Sequence, residues 1–381
     1  MNLPGTRQGI SGAEMETDQT HQLQAQVRHA YENRTPLKII GGDTKAFYGF
    51  PTSGSPVVLA GHTGVLDYSP TELVIRARAG TPLVEINQTL QAQGQMLACE
   101  PPVFGESATF GGMAAAGLSG PARPYRAAVQ DTVLGCTILN GRGELLSFGG
   151  KVMKNVAGYD VSRLMVGSLG CLGLILDLTV KVIPAPTCEA TIAFTVKADA
   201  ACQFINTLRR RGFPVTGTCQ TEENSLLVRF SAGKREIEAL PDQLANIPGT
   251  GTWKIHEDEP FWELLREQRL AFFQQDAGET IWRLSLPTNA DLSAFTRDRH
   301  LILREWGGAQ VWLKSTMPPG EIFSFAEKAG GHATVFRASA DTQYPTRFQP
   351  MTDTLMDWQK QLKRAFDPAG IFNSGRMYRE F

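Results

Sequence analysis

Residues 155–183, NVAGYDVSRLMVGSLGCLGLILDLTVKVI, form the stretch on which the predicted fold depends. Asp160 is suited to cap a short helix, and a long apolar strand is predicted toward the end of the stretch. Between them lie three glycines at three-residue steps, Gly167, Gly170 and Gly173. Glycine costs ~0.5–1 kcal/mol relative to alanine inside regular structure, so the spaced set indicates positive φ angles or a flat molecule close to the backbone. An ordinary turn between helix and strand explains the same glycines equally well.

Composition and charge limit the classes of function. The chain has 381 residues, 42% of them hydrophobic and 20% charged, which predicts a soluble globular enzyme of about two domains. Its 37 basic and 38 acidic residues give a formal charge of −1, so bulk charge indicates neither nucleic-acid binding nor attraction to an anionic membrane.

The cysteines and the apolar runs bear on metal sites and on location. No C-x-x-C pair is present, so neither a zinc ribbon nor an iron–sulfur binding run is predicted, and no metal site is expected. Residues 1–20 lack the apolar core of a signal peptide, and no uninterrupted apolar run approaches the ~20 residues of a membrane span. We therefore expect a cytoplasmic protein with a flexible segment at 1–20 and with reduced, mostly buried thiols at Cys99, Cys136, Cys171, Cys188, Cys202 and Cys219.

A first glycine-rich loop follows a predicted strand. A helix is expected from about residue 21, and the strand Leu37–Ile40 then runs directly into GGDTKA at 41–46. Successive backbone N–H groups in such a loop can form a concave anion site, and small residues let phosphate oxygens approach. The loop has neither P-loop nor Rossmann spacing, so a plain strand-end turn is the alternative.

A second glycine-rich stretch covers residues 105–120, GESATFGGMAAAGLSG. Glycines and alanines dominate from Gly111 until Leu118. A short helix of such small residues buries little apolar area, and burial contributes only roughly 25 cal/mol per Å² of that area. A large neighbour therefore explains the small residues better than packing of the helix itself. Contact with another small-residue helix is the alternative.

The remaining pattern predicts alternating strands and helices. Thr81 is expected to cap a helix that begins with Pro82 and ends at Gly94, and a hairpin is expected at 132–148. After Pro184 the predicted strands alternate with helices, as in an α+β unit. The expected strands lie at 57–60, 73–79, 192–196, 226–230, 281–286, 310–314 and 333–337, and the expected helices begin near Asp199, Phe261 and Gly320 and run over 352–366.

Five stretches, together with the three glycine-rich segments, carry a resemblance to a known family: 100–135, 152–175, WLKST at 312–316, GGHAT at 330–334 and DPAGIFNSGRMY at 367–378. The chain resembles flavoproteins of the vanillyl-alcohol oxidase type, with a PCMH-type FAD-binding domain. More closely, it resembles the FAD-binding subunits of bacterial glycolate oxidase.

The resemblance implies an α+β fold with a two-part PCMH-type FAD-binding domain and an inserted α+β cap domain. The implied divisions are a flexible extension at 1–20, the FAD-binding domain at 21–185, the cap at 186–344 and a segment at 345–381 that returns to the FAD-binding domain.

The resemblance also implies one FAD per chain and a set of residues around it. Two departures matter: Ser374 stands where the family commonly has proline, and the first loop has no histidine or cysteine, which disfavours covalent attachment of the flavin. The implied cofactor-binding residues are Gly41, Gly42, Asp43, Thr44, Lys45, Ala46, Thr109, Gly111, Gly112, Met113, Gly167, Ser168, Gly170, Gly173, Ile175 and Asn373.

Catalytic residues are not identified by the sequence. His332 resembles a Gly-His stretch of catalytic subunits in this group, yet its companion histidines are missing, and a structural histidine is the favoured interpretation. Four cations could pair a substrate carboxylate or simply be solvated at the surface, and solvation is the default for each of them: Arg283, Arg304, Lys314 and Arg337.

Three functions therefore compete. The resemblance favours an FAD-binding subunit of a multi-subunit glycolate oxidase that works with a paralogous flavin-containing catalytic subunit and an iron–sulfur subunit. Association with the inner face of the cell membrane would then be peripheral and through those partners. The alternatives are a self-sufficient FAD-dependent dehydrogenase of a small 2-hydroxy acid, and a structural subunit that no longer binds FAD.

Overall fold

The computed structural model describes residues 17–150, 160–222, 224–245, 247, 251–256, 260–296, 301–340 and 342–381. Residues 155–159 of the stretch quoted first, and most of the segment expected to be flexible at 1–20, lie outside the described residues. The prediction of an α+β fold is confirmed, because antiparallel sheets and separate helices make up most of the chain.

Residues 17–150 and 160–184 form a first unit of helices and three sheets. The predicted strand Leu37–Ile40 is confirmed, and the strand predicted within 155–183 runs over Leu174–Lys181. The helices are α1 (Thr20–Asn33), α2 (Leu83–Gln91), α3 (Phe110–Ala116), α4 (Val129–Thr132) and α5 (Val161–Leu164). The strands are β1 (Leu37–Ile40), β2 (Ser55–Val58), β3 (Val65–Ser69), β4 (Val74–Arg78), β5 (Gln95–Met96), β6 (Val133–Leu139), β7 (Leu145–Gly149), β8 (Leu174–Lys181) and β9 (Ile183–Pro184).

The largest sheet of this unit has β8 at its centre. Its strand order is β3-β4-β8-β6-β7, and every pair is antiparallel. The first seven residues of β8 are all buried, as expected for a strand covered on both faces. A separate parallel pair, β1 with β2, brings the first glycine loop to the edge of this core.

The described residues between 188 and 337 build a second unit, which we call the cap. One antiparallel sheet of eight strands has the order β13-β10-β12-β11-β15-β16-β14-β17. The strands are β10 (Cys188–Thr195), β11 (Val215–Glu222), β12 (Ser225–Ala232), β13 (Trp253–Ile255), β14 (Thr280–Ser285), β15 (Leu301–Glu305), β16 (Gln310–Ser315) and β17 (His332–Arg337). The helices are α6 (Ala198–Arg210), α7 (Lys234–Glu238), α8 (Leu240–Leu244), α9 (Phe261–Arg266), α10 (Ser293–Thr296) and α11 (Pro319–Lys328), with 3₁₀ turns at Ala271–Phe273 and Trp306–Gly308.

The two longer cap helices each cover one half of the sheet. Helix α6 places Phe204, Ile205 and Leu208 at helical spacing in one apolar core, and α11 places Ile322 and Phe323 in another. Among the helices that the structure describes, none is long and apolar enough to cross a membrane.

Sequence patterns missed three cap strands and misassigned one helix cap. Strands β11, β13 and β15 were not predicted, and β11 is the clearest case because its sequence, VTGTCQTE, is rich in threonine and yet largely buried. The prediction that Thr81 caps α2 is wrong. The Thr81 hydroxyl instead accepts a hydrogen bond from the Gly64 N–H at 3.0 Å, which ties two loops together.

The chain returns to the first unit through α12 (Asp353–Phe366), close to the helix predicted at 352–366. Just after the helix, the Leu37 N–H donates to the Ile371 carbonyl at 2.7 Å, so the returning segment lies against β1. This segment is held by a buried ion pair between Lys363 and Asp367, which are 4% and 1% exposed.

The Lys363 ammonium makes three short contacts. It donates to Asp367 Oδ2 at 2.7 Å, to the Cys171 carbonyl at 2.7 Å and to the Phe372 carbonyl at 2.8 Å. The carboxylate of Asp367 in turn accepts the N–H groups of Ile371 and Phe372. One pair of charges therefore connects α12, the third glycine stretch and the returning segment.

We predict that Lys363→Met destabilises the protein by about 3–5 kcal/mol, because it leaves the Asp367 carboxylate buried without its cation. The free energy of unfolding in urea measures the effect. Arg364→Met, at the exposed neighbour in the same helix, is the control and should change stability by less than about 0.5 kcal/mol. Equal effects of the two variants would contradict a special role for the pair.

Candidate functional site

The three glycine-rich stretches meet around one elongated cleft in the first unit. The cleft has a volume of about 770 Å³, counting the space at its open mouth. Its walls come from the loop after β1, from α3, from the turn before β8 and from the returning segment. Stretches that are far apart in the sequence therefore form one site.

Close backbone packing explains the glycine in the first loop. A Cβ atom built on Gly42 would lie 1.5 Å from the Ser107 carbonyl oxygen, so a side chain cannot be accommodated there. The Ser107 hydroxyl donates to the Gly42 carbonyl at 2.7 Å. The next residue, Asp43, has φ +55°, and the turn then presents Lys45 at the cleft.

The second wall begins with a capped helix. The Thr109 side chain accepts a hydrogen bond from the Gly112 N–H at 3.1 Å and starts α3. A Cβ atom on Gly111 would lie 2.5 Å from the Cβ atom of Ala79, so glycine is required for this contact. On Gly112, a Cβ atom would have the Thr109 hydroxyl, at 3.0 Å, as its one described neighbour within 4 Å. The cleft side of Gly112 is otherwise open.

The third wall is fastened both to α3 and to the returning segment. The Leu169 N–H donates to the Ala115 carbonyl at 2.9 Å, which joins the turn to the end of α3. Asn373 bridges the other side, because its Oδ1 accepts from the Ile39 N–H at 2.9 Å and its Nδ2 donates to the Leu169 carbonyl at 2.7 Å. Gly170, at φ +74°, leaves room for the Asn373 amide. A Cβ atom built on Gly170 would lie 2.7 Å from Asn373 Nδ2.

Two cations border the cleft. The Lys45 ammonium donates to the Val103 carbonyl at 3.2 Å, and burial lowers the pKa of Lys45 to about 8. The Arg376 guanidinium donates to the Lys45 carbonyl at 3.2 Å, and burial lowers its pKa as well. Desolvated cations beside small-residue backbone suit a ligand that carries phosphate groups.

Most of the residues implied by the resemblance lie on the cleft wall, and three do not. Met113 is 1% exposed within the core, Ser168 is 5% exposed behind the wall, and Gly167 donates its N–H to the Ala114 carbonyl. The implied residues that line the cleft are Gly41, Gly42, Asp43, Thr44, Lys45, Ala46, Thr109, Gly111, Gly112, Gly170, Gly173, Ile175 and Asn373.

Sequence reasoning missed several wall residues. Arg376 is the most consequential, and a basic residue three positions after Asn373 in the quoted C-terminal stretch was an available signal. Alanines 115 and 116 belong to the small-residue stretch that was singled out. The other missed wall residues are Ile39, Leu59, Ala79 and Leu169.

The catalytic candidates of the cap lie elsewhere. His332 is exposed at the start of β17, and among the described residues no group of three His, Cys, Asp or Glu side chains could hold a metal ion. The surface interpretation of Lys314 is wrong, because this residue is 8% exposed and its ammonium donates to the Gln274 carbonyl at 2.9 Å. Its charge is compensated by Glu279 at 3.3 Å.

Of the other three cations, two make direct contacts and the third is partly buried. The Arg283 Nε donates to Gln310 Oε1 at 2.8 Å, and Arg304 is partly buried. The Arg337 guanidinium stacks on Phe47 at 4.0 Å.

A buried carboxyl in the cap was not predicted. Burial raises the pKa of Glu305 to about 7, while the Trp312 Nε1 donates to its Oε1 at 2.5 Å and the Gln310 amide donates to the same oxygen at 3.1 Å. Glu305 lies in a small space between the cap and residues 102–121.

Comparison with known proteins gives four matches of interest. Residues 13–149 match the family described as FAD binding domain. Glycolate oxidase subunit GlcE of Escherichia coli (strain K12) is 43% identical over 365 residues, which cover 96% of this chain and 99% of GlcE. Glycolate oxidase subunit GlcD of Bacillus subtilis (strain 168) is 29% identical over 178 residues, 46% of this chain and 38% of GlcD. The solved structure of p-cresol methylhydroxylase with substrate bound superposes with a TM-score of 0.73 at 12% identity, over 96% of this chain and 88% of that chain, which shows a shared fold.

These matches and the cleft define the class of the protein as an FAD-binding oxidoreductase, and FAD is its cofactor. The residues of the cleft fit that cofactor, since two cations and closely approachable backbone meet at one wall. At 43% identity over nearly its whole length, the chain belongs to the family of the glycolate oxidase subunit GlcE.

We predict that Gly112→Ala weakens FAD binding while changing the stability of the fold by less than about 1 kcal/mol, because the tight contact with the Thr109 hydroxyl and the higher helix propensity of alanine act in opposite directions. Alanine is favoured over glycine inside a helix by up to about 1 kcal/mol, whereas the new methyl group would enter the open side of the cleft. The dissociation constant for FAD should rise at least roughly fivefold. Titration of the FAD-free protein measures it, and thermal unfolding of the same sample measures stability.

Gly320→Ala is the matched control. Gly320 also lies near the start of a helix, and a Cβ atom there would have no described atom within 4 Å. Its substitution should leave the affinity for FAD unchanged. Unchanged affinity in both variants would show that FAD does not lie against Gly112.

Proposed function

We propose that this chain is the FAD-binding subunit of a multi-subunit glycolate oxidase. In this proposal it takes part in the oxidation of glycolate to glyoxylate and passes electrons to partner subunits. The observation that carries the proposal is the 43% identity to GlcE over 96% of this chain and 99% of GlcE. The cleft adds support, because residues of this chain build its phosphate-compatible wall.

The chain's own residues would hold FAD along the cleft. The loop at 41–46, with Lys45 and Arg376, would hold the pyrophosphate, since both cations lie at its backbone. Thr109 and Gly112 would border the dinucleotide, and Asn373 would fix the turn at Gly170 beside the ring system. Once bound, FAD supplies the ability to accept or donate one or two electrons.

We also propose that the domain division expected from the sequence is the functional one. The FAD-binding domain at 21–185 is completed by 345–381, and the cap at 186–344 lies between them in the sequence. The contact of the returning segment with β1 and the separate cap sheet support this division.

The partners in this proposal are a paralogous flavin-containing catalytic subunit and an iron–sulfur subunit. The sequence contains no C-x-x-C pair for an iron–sulfur cluster, so onward electron transfer through such a cluster needs another chain. Any association with the inner face of the cell membrane would be peripheral and through these partners.

We predict that FAD is bound non-covalently. The first loop contains no histidine or cysteine, and Cys171, beside the third wall, is 1% exposed. Burial raises the pKa of Cys171 to about 11, so the thiol stays protonated at neutral pH and is a poor nucleophile. Acid precipitation of the loaded protein should release the yellow colour into the supernatant. Colour retained on the denatured, washed polypeptide would show a covalent link.

We predict that the chain alone, loaded with FAD, does not oxidise glycolate at the rate of the assembled complex. Removal of a hydride needs a clamp for the carboxylate and a base for the hydroxyl proton close to the flavin. The expected ligand histidines beside His332 are missing from the sequence. Glycolate-dependent reduction of a dye, measured for the chain alone and with candidate partners, tests this. A lone chain that matches the complex would favour the self-sufficient dehydrogenase.

A further inference from the structure

A short loop lies between the cleft and the cap and contacts both. It covers residues 100–105, EPPVFG, and we call it the strap. The strap belongs to the first unit by sequence, but two cap side chains hold it. Its second end, at 103–105, contacts residues of the cleft wall.

The strap is held in a strained conformation. Glu100 and Phe104 have φ angles of +42° and +55°, which non-glycine residues rarely adopt. Such residues cost of order 1–3 kcal/mol each and persist only where their surroundings enforce the conformation. The contacts of these two residues therefore show what holds the strap in this conformation.

The cap fixes the first end through a buried carboxylate. The Arg229 guanidinium, from β12, donates to both oxygens of Glu100 at 2.8 Å. Arg126 adds a second cation at 3.1 Å. Glu100 and Arg229 are both nearly fully buried, so water does not compete for this pair.

The cap fixes the second end through Glu267, which directly follows α9. Its Oε2 accepts the Phe104 N–H at 2.8 Å and the Val103 N–H at 3.1 Å, and its side chain is 9% exposed. Arg266 pairs with the other oxygen at 2.7 Å. One cap carboxylate thus satisfies two successive N–H groups of the strap.

The opposite side of the strap supports the cleft. The Val103 carbonyl accepts the Lys45 ammonium at 3.2 Å, and Lys45 also lies over the Phe104 ring at 5.5 Å. Gly105 packs against Thr44, whose Cγ2 would lie 3.2 Å from a Cβ atom on that glycine. The Val103 carbonyl and the Phe104 N–H belong to the same peptide group. This group accepts a hydrogen bond from Lys45 on one side and donates one to Glu267 on the other.

We infer that Glu267 is a positioning residue for FAD, which fixes the strap so that the Val103 carbonyl holds Lys45 at the pyrophosphate loop. This rests on FAD occupying the cleft, as proposed above. The carboxylate polarises the shared peptide group and strengthens the hydrogen bond on its far side. Its charge also favours the protonated form of Lys45. In this inference the cap contributes to FAD affinity although none of its described residues lines the cleft.

The charged groups around Lys45 set the expected pH dependence. Asp43 lies in its own loop, Arg376 comes from the returning segment, Glu267 from the end of α9, and Arg337 stacks on the same Phe104 ring. Protonated Lys45 attracts pyrophosphate, so affinity should be constant below the pKa of Lys45, about 8, and fall above it. Without the charge of Glu267, the fall should begin at a lower pH.

The test compares FAD affinity in variants of the full chain. Glu267→Gln keeps the shape and removes the charge, and it should raise the dissociation constant roughly tenfold at pH 8. The pH at which affinity begins to fall should move downward. Glu267→Asp should recover the pH profile of the natural protein. Glu263→Gln, at an exposed carboxylate one turn earlier, is the control and should change affinity less than about twofold.

A double-mutant cycle with Lys45→Met separates positioning from general loosening of the fold. If Glu267 acts through Lys45, Glu267→Gln should weaken binding in the natural background and change it less than about twofold in the Lys45→Met background. An equal loss in both backgrounds, or no loss in either, would overturn the inference. Unchanged affinity in both Lys45→Met and Gly112→Ala would instead show that FAD lies elsewhere, which is failure of the proposed site.

Discussion

The buried pair of Lys363 and Asp367 is the interaction on which the rest of the site depends. A lysine at 4% exposure is tolerated only because a carboxylate and two carbonyl oxygens surround its ammonium. Those carbonyls belong to Cys171 and Phe372, so the pair joins the third glycine stretch to the segment that follows α12. Asn373 comes next in the chain and reaches β1 through Ile39. The cleft therefore has its shape because one desolvated charge requires these partners.

The contact between the two units also depends on buried charges that need hydrogen-bonding partners. Glu100 in the strap and Glu267 in the cap are buried carboxylates, and each accepts hydrogen bonds from across the boundary. An aromatic cluster fills the space beside them, with Phe336 of the cap packed against Phe47 and Phe104. A buried carboxylate that loses its partners is costly in free energy. These contacts therefore oppose rigid-body movement of the cap relative to the first unit. The cap is thus fastened to the loop that borders the cleft, although its side chains do not line the cleft among the residues described.

Local patterns in the sequence predicted the parts of the structure that depend on neighbours in the chain. The strand Leu37–Ile40 and the N-cap at Asp160 both follow from residues within a few positions. Strand β11 was missed because its threonines are buried against residues that are distant in the sequence, such as Tyr125 at Thr218, which no local pattern records. Glu305 and Lys314 are charged and buried for the same non-local reason. The α+β fold and the family came from the resemblance, whereas Arg376 and the strap contacts required the packed structure.

The order of the chain has a consequence for how this flavoprotein matures. The first walls of the cleft come from residues 39–175, but Asn373 and Arg376 are made only after the whole cap has been synthesised. Translation proceeds from the amino terminus at ≈ 5–20 residues per second, so at 20 residues per second the nearly 200 intervening residues occupy the ribosome for about 10 s. During that interval the nascent chain has glycine-lined walls without the segment that closes them. The complete set of cleft walls therefore exists only once translation has passed residue 376, so the order of synthesis makes the closing segment the last part of the site to form.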